Sequence, residues 1–247
     1  EAKNRINKLD KLKSLPSTIQ LSSDISTLGN SELIILAFPS QSMRSNLNII
    51  YNNLNQNHKF LIASKGIEKT SGKRLSEVLK EEITFIKEKN ISILSGPNLA
   101  KEIYENKTTS TVIASKNISL LNNIKSIIES NKFKIYLSDD TIGVELGGAL
   151  KNIVTLGAGI CDGLNIGNNL KGAFISIAFS EIVKLALLAG AKTVTISGLS
   201  GLGDTLASSY SPISRNRLAG QYLAEGYSIT TINKKINNII EGLDTLY

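Results

Sequence analysis

The stretch LIILAFPSQS, residues 33–42, is an apolar run of six stopped by a proline and a polar turn. A run that short and that sharply bounded reads as a buried strand. Four others share its character: FLIAS at 60–64, ISILS at 91–95, TVIAS at 111–115 and FKIYL at 133–137. Each is mostly β-branched or aromatic and is bounded by Pro, Gly, Ser or Asn. Segments of helical character lie between them, at 71–89 and 120–131. Strand and helix in alternation imply a mainly parallel, doubly wound sheet. Ligands of such sheets sit beyond the carboxyl ends of the strands. PSQS follows the first strand and KGIE the second, so Lys65 stands where a lysine can meet a ligand.

After residue 139 the strands stop. Helical patterns cover 142–164, 169–189, 194–199, 212–225 and 230–241, which divides the chain into an α/β region at 1–138 and an all-α region at 139–247. The second of these helices is expected to start on asparagine caps and to end at Gly190. The fourth is expected to start with Ser211 as N-cap and Pro212 in the first helical position, and to end at Gly226.

Composition narrows the function classes. With 41% apolar and 20% charged residues in 247, the chain is an ordinary globular protein. One cysteine and one histidine exclude an internal disulfide and a Cys/His zinc site, and no metal is expected. That fits a reducing, cytoplasmic setting. Residues 1–15 are charged throughout, unlike a signal peptide, and the apolar stretch at 175–191 contains Glu181 and Lys184, so no membrane insertion is expected. The 28 basic against 21 acidic residues give +7, which raises the question of an anionic partner. The basic residues are scattered, without a run of five or interleaved aromatics. A small phosphorylated metabolite or a solvated lysine surface therefore fits better than nucleic acid.

Two segments could carry chemistry. GVELGGALKN at 143–152 puts three glycines inside an apolar helix. A glycine in a helix costs about 1 kcal/mol relative to alanine. Lys151 leans back over Gly147 and Gly148. Either the glycines leave open space beside its ammonium, or they allow close packing and Lys151 is a solvated edge residue. The apolar stripe of this helix comprises Leu146, Leu150, Ile153, Val154, Cys161 and Leu164. GLSGLGDTLASSYSPISRNR at 198–217 is not a dinucleotide loop, because its glycines follow no strand. Its Gly-rich turn can bring Asp204 close to another element. Arg215 and Asn216 fall in the first turns of a helix, where free N–H groups favour an anion, or they belong to an ordinary surface loop. His58 lies in a polar loop and is expected to be solvated, Cys161 to be a buried thiol.

Together, ASKGIE, LSGPNLAKEI, GVELGGALKNIVTLGAGICDGL, GLSGLGD, SPISRNRLAG and EGLDT resemble the bacterial-type NAD(P)-dependent glycerol-3-phosphate dehydrogenases, in that family's order and over nearly the whole chain. The resemblance implies a Rossmann-like parallel sheet followed by an all-α C-terminal domain. It also implies interconversion of dihydroxyacetone phosphate and sn-glycerol 3-phosphate with NAD or NADP, which supplies glycerol 3-phosphate for phospholipid synthesis. On it, Lys151 polarises the C2 carbonyl and supplies or removes the proton of its oxygen, Lys65 orients the substrate and Asp204 partners the lysines. Gly96, Ser208, Ser214, Arg215 and Asn216 join Lys65 around the substrate, and Pro39, Lys65, Ala100, Arg215 and Glu241 line the cofactor. Ser208 stands where the family usually has threonine. Two adjacent ammonium groups are expected to lower each other's pKa, tempered by the carboxylate. The resemblance is compatible with a homodimer. The family opens with a strand and a GxGxxG turn, whereas this chain is expected to open after that unit and to stop before the family's last helices. The expectation is therefore a trimmed chain with weakened cofactor binding and an exposed sheet edge. A related hydroxy-acid dehydrogenase and a non-catalytic phosphometabolite-binding fragment are the alternatives.

Overall fold

The computed structural model describes residues 18–246, so the charged stretch at 1–15 lies outside the described residues. Among the described residues, one sheet of five strands has the order β1-β2-β3-β4-β5, with β1 Leu33–Leu36, β2 Lys59–Ile62, β3 Ile91–Ser95, β4 Thr109–Ala114 and β5 Phe133–Ser138. All five expected runs are strands. Helices α1 Met43–Ile50, α2 Leu75–Glu82, α3 Ala100–Tyr104 and α4 Ile118–Ile128 connect them. Alternation along β2 shows how both faces are covered: Phe60 and Ile62 join the core under α1 and α2, while Leu61 joins the one under α4.

The pairs β1–β2, β2–β3 and β4–β5 are parallel, but β3–β4 is antiparallel. Between β3 and β4 the chain carries only the five-residue α3. Such a helix rises about 7.5 Å, too little to return the chain to the start of its strand, so β4 runs back alongside β3.

From residue 141 the described chain is helical: α5 Thr141–Gly163, α6 Gly167–Leu188, α7 Thr193–Ile196, a π-helical turn at Leu199–Gly203, α8 Asp204–Tyr210, α9 Arg215–Ala224, α10 Ile229–Ile236 and α11 Glu241–Thr245. The α5 helix is the centre. Its Leu146, Leu150 and Val154 pack on Ile175, Phe179 and Ile182 of α6, and its Leu156 packs on Ala219, Ile232 and Ile240. By length and composition α5 could cross a membrane, yet 83% of its apolar window is buried inside the protein.

Several local expectations give way to geometry. The helix expected at 71–89 is only Leu75–Glu82 and stops where Ile83 and Thr84, both β-branched, follow. Asn168 and Asn169 do not cap α6; Ile166 holds that position without a side-chain bond, and the asparagines lie inside the helix. The cap of α9 is Ser214, not Ser211, because the Ser214 hydroxyl accepts the Arg217 N–H. The pattern at 230–241 is two helices, broken at the left-handed Asn237. Leu164 falls just past the end of α5 and is 57% exposed. His58 is 2% exposed, its Nδ1 accepting the Asn55 N–H, because the polar loop around it folds over its ring.

Candidate active site

A cavity of about 950 Å³ opens beyond the carboxyl ends of β1 and β2, against the middle of α5 and the start of α9. That is the size of a pocket for a metabolite together with part of a cofactor. Lys65, Asn98, Lys151, Asp204, Ser208 and Arg215 all reach its wall.

The glycines of α5 explain how the site is assembled. A Cβ on Gly147 would lie 2.9 Å from the Ser200 carbonyl oxygen, and one on Gly148 would lie 2.3 Å from Ser95 Oγ and 3.5 Å from Lys65 Cδ. The two glycines therefore leave no open space of their own. The glycines instead let two foreign segments press onto α5: the Gly-rich turn at Leu199–Gly203 against Gly147, and Ser95 at the end of β3 against Gly148, with the stem of Lys65 in ordinary contact beside it. Close packing is thus half of the answer, but Lys151 is no edge residue: it is 8% exposed.

The turn delivers Asp204 as the first residue of α8, and its carboxylate bridges the two lysines. Lys65 Nζ donates to Asp204 Oδ2 at 2.7 Å, and Lys151 Nζ donates to Oδ1 at 3.0 Å. Lys151 also donates to Ser208 Oγ at 2.6 Å, one helical turn beyond Asp204. An ammonium has three hydrogens, so one hydrogen of Lys151 remains for a ligand. Lys65 spends all three on protein: besides Asp204, it donates to the Gly96 carbonyl and to Asn98 Oδ1, each at 2.9 Å. Gly96 therefore contributes a carbonyl that holds Lys65. Burial is the main force that pushes the Lys151 ammonium below the ordinary lysine value; Asp204 opposes it and Lys65 reinforces it. The neighbouring ammonium is thus a smaller cause than desolvation. Burial alone would raise Asp204, but the two lysines hold it below the ordinary aspartate value.

Across the cavity, Ser214 spends its oxygen on Arg217 N–H, and α9 begins with Arg215 and Asn216. Arg215 Nη1 donates to Asn238 Oδ1 at 2.7 Å. Asn216 Nδ2 donates to Asn152 Oδ1 at 2.8 Å, and its Oδ1 accepts the Gly242 N–H at 2.9 Å. Glu241 reaches over to β1's end, where Ser40 Oγ donates to its carboxylate; burial raises its pKa. Pro39, Ala100 and Glu241 stand on the wall on that side. The structure thus brings every expected residue to the cavity or to one that touches it. Sequence reasoning overlooked Asn98 and Asn238, which hold Lys65 and Arg215. Asn98 was within reach, since it follows a strand end, as Lys65 does.

The two halves match two family models, described as the N-terminus (residues 2–121) and the C-terminus (residues 140–247) of NAD-dependent glycerol-3-phosphate dehydrogenase. A glycerol-3-phosphate dehydrogenase [NAD(P)+] of Dehalococcoides mccartyi is 42% identical over 218 residues, covering 88% of this chain; the chain spans 61% of that relative's length. One from a Thermoanaerobacter species is 35% identical over 232 residues, 94% of this chain and 69% of its own. A solved glycerol-3-phosphate dehydrogenase from Coxiella burnetii superposes with a TM-score of 0.88 at 29% identity, covering 95% of this chain and 75% of its own. With both halves matched in order and relatives this similar across nearly all of its length, the chain belongs to the NAD-dependent glycerol-3-phosphate dehydrogenase family.

Proposed function

We propose that the protein interconverts dihydroxyacetone phosphate and sn-glycerol 3-phosphate with NAD or NADP, supplying glycerol 3-phosphate for phospholipid synthesis. The observation that carries this reading is the desolvated Lys151, with one hydrogen left to donate, facing the same cavity as an arginine at a helix start. A site that only held a phosphate would need Arg215 but not a buried lysine with a lowered pKa, so the binding-only alternative is disfavoured. A hydroxy-acid substrate would leave the helix start and Arg215 without their phosphate.

The cavity has room for the nicotinamide end of a dinucleotide beside a three-carbon phosphate, and its polar wall suits both. Pro39, Lys65, Ala100, Arg215 and Glu241 would hold the cofactor, which when bound carries a hydride to or from C2. In ketone reduction Lys151 donates its remaining proton to the C2 oxygen; in alcohol oxidation it takes that proton back. Asp204 and Ser208 fix the direction of that hydrogen by accepting the other two. Lys65 keeps Asp204 ionised and can exchange Asn98, a partner on the cavity wall, for a substrate oxygen. Arg215, Asn216 and Ser214 gather around the phosphate, where the α9 amides add to the attraction.

We divide the chain at 138/139 into a cofactor-side and a substrate-side domain, and place it in the cytoplasm. The test is to follow nicotinamide oxidation with dihydroxyacetone phosphate and with dihydroxyacetone. Turnover that depends on the phosphate supports the reading. Equal turnover, or activity confined to 2-hydroxy acids, overturns it.

A further inference from the structure

Away from the cavity, one carboxylate joins three helices. Asp162, near the end of α5, accepts Lys171 Nζ of α6 at 2.8 and 2.9 Å and Arg217 Nε of α9 at 2.5 Å. Lys171, only 4% exposed, lies with its Nζ 4.7 Å from the ring centroid of Tyr210, the last residue of α8. The hub thus touches the helix of Lys151, the helix of Asp204 and Ser208, and the helix that begins with Arg215 and Asn216, yet none of its three charged members lines the cavity.

What it does there follows from how α9 packs. A Cβ on Gly220 would lie 1.9 Å from the Leu156 carbonyl oxygen, and one on Gly159 would lie 1.9 Å from the Arg217 carbonyl oxygen. Backbone touches backbone, which fixes the separation of the helices. Smooth glycine surfaces do not fix rotation or sliding, because they offer no side chain to interlock. Among the described contacts between α5 and α9, two directional bonds can do so: Asn152–Asn216 and Asp162–Arg217. The first lies in the site and is exposed to ligand. The second is not.

We propose that Asp162, with Arg217 and Lys171, is a positioning hub that sets the register of the phosphate-facing start of α9 against Lys151. It rests on Arg215 being the phosphate contact. Arg217 follows Asn216 directly, so any rotation that frees Arg217 from Asp162 swings Arg215 and Asn216 by a comparable angle. A displacement of about 1 Å in such a group costs on the order of 100-fold in rate.

The experiment uses the full protein and compares wild type with Arg217→Gln, Arg217→Lys and Asp162→Asn, measuring KM and kcat for glycerol 3-phosphate, KM for the dinucleotide, and Tm. The expected result is a KM for glycerol 3-phosphate raised about 10-fold or more in Arg217→Gln and Asp162→Asn. The dinucleotide KM rises several-fold less than that, because the cofactor shares Arg215 but also rests on Pro39, Lys65, Ala100 and Glu241, and Arg217→Lys, which keeps the charge, recovers part of the loss. If Arg217→Gln does not fold, Arg217→Lys is read by the same split between the two KM values. An unchanged glycerol 3-phosphate KM, or equal rises for both ligands with a lowered Tm, overturns the hub as a positioning device. A wild-type protein with no preference for phosphorylated over phosphate-free substrate overturns the underlying phosphate assignment instead.

Discussion

The two lysines of the site come from regions built by different rules. Lys65 stands in a loop just past β2, and its position follows from sheet topology: any residue there faces the crevice beyond the strand ends. Lys151 stands in the middle of a 23-residue helix, and nothing about a helix sends a side chain to a site. Its position comes from packing, because Gly147 admits the turn that carries Asp204 and Gly148 admits Ser95 at the end of β3, beside the Lys65 stem. The sheet half thus supplies a place, and the helical half supplies a group whose chemistry burial has altered.

If that contrast holds, the largest effect belongs to Lys151. Lys151→Met should lower kcat by roughly 100- to 10,000-fold with folding intact, the span of general acid–base contributions. Near-normal turnover in a folded variant would remove Lys151 from the chemistry and erase the contrast.

Arg215 tests the far wall of the cavity. Arg215→Ala should weaken glycerol 3-phosphate binding by about 1.5–3 kcal/mol, the range for hydrogen bonds to charged groups, as measured by titration calorimetry. A loss confined to the dinucleotide would assign Arg215 to the cofactor alone.

Two glycines separate packing from helix propensity. Gly220→Ala places a methyl 1.9 Å from a carbonyl oxygen and should destabilise the fold by about 1–3 kcal/mol. Gly172, within α6, has nothing within 4 Å of its would-be Cβ, so Gly172→Ala should stabilise by about 0.4–1 kcal/mol. Thermal melts of both decide it; stabilisation by both would show that α9 yields to the added methyl, and destabilisation by both would show that Gly172 is held by more than helix propensity.

The smallest effect is a pH shift. Ketone reduction needs the Lys151 ammonium, so its kcat should fall as pH rises through the lowered Lys151 value, and alcohol oxidation, which needs the free amine, should rise over the same window. Asp204 raises the Lys151 value, so Asp204→Asn should move both limbs to lower pH. Limbs that stay in place would show that another group controls the profile.

The five described strands were legible because each is a short apolar run between strong punctuators, and those signals are local. Caps were less so. Ser211 and Ser214 are equivalent by composition, and only the path of the chain shows that Ser214 reaches an α9 amide. His58 misled for the same reason: polar neighbours describe a loop's chemistry, not whether it folds over the ring it carries.

The sequence by itself determined the order of strands and helices, the change of architecture near residue 139, and the two segments that bear Lys151 and Arg215, since periodicity, punctuation and composition act over a few residues. It did not decide that Lys65, Lys151 and Asp204 meet. Asp204 is 139 residues from Lys65 and 53 from Lys151. Burying any one of these charges is costly in isolation, and the cost is offset only when the others arrive with the right geometry. That condition depends on the whole packing of α5, its glycines and the turn before α8, so only the tertiary structure could satisfy it.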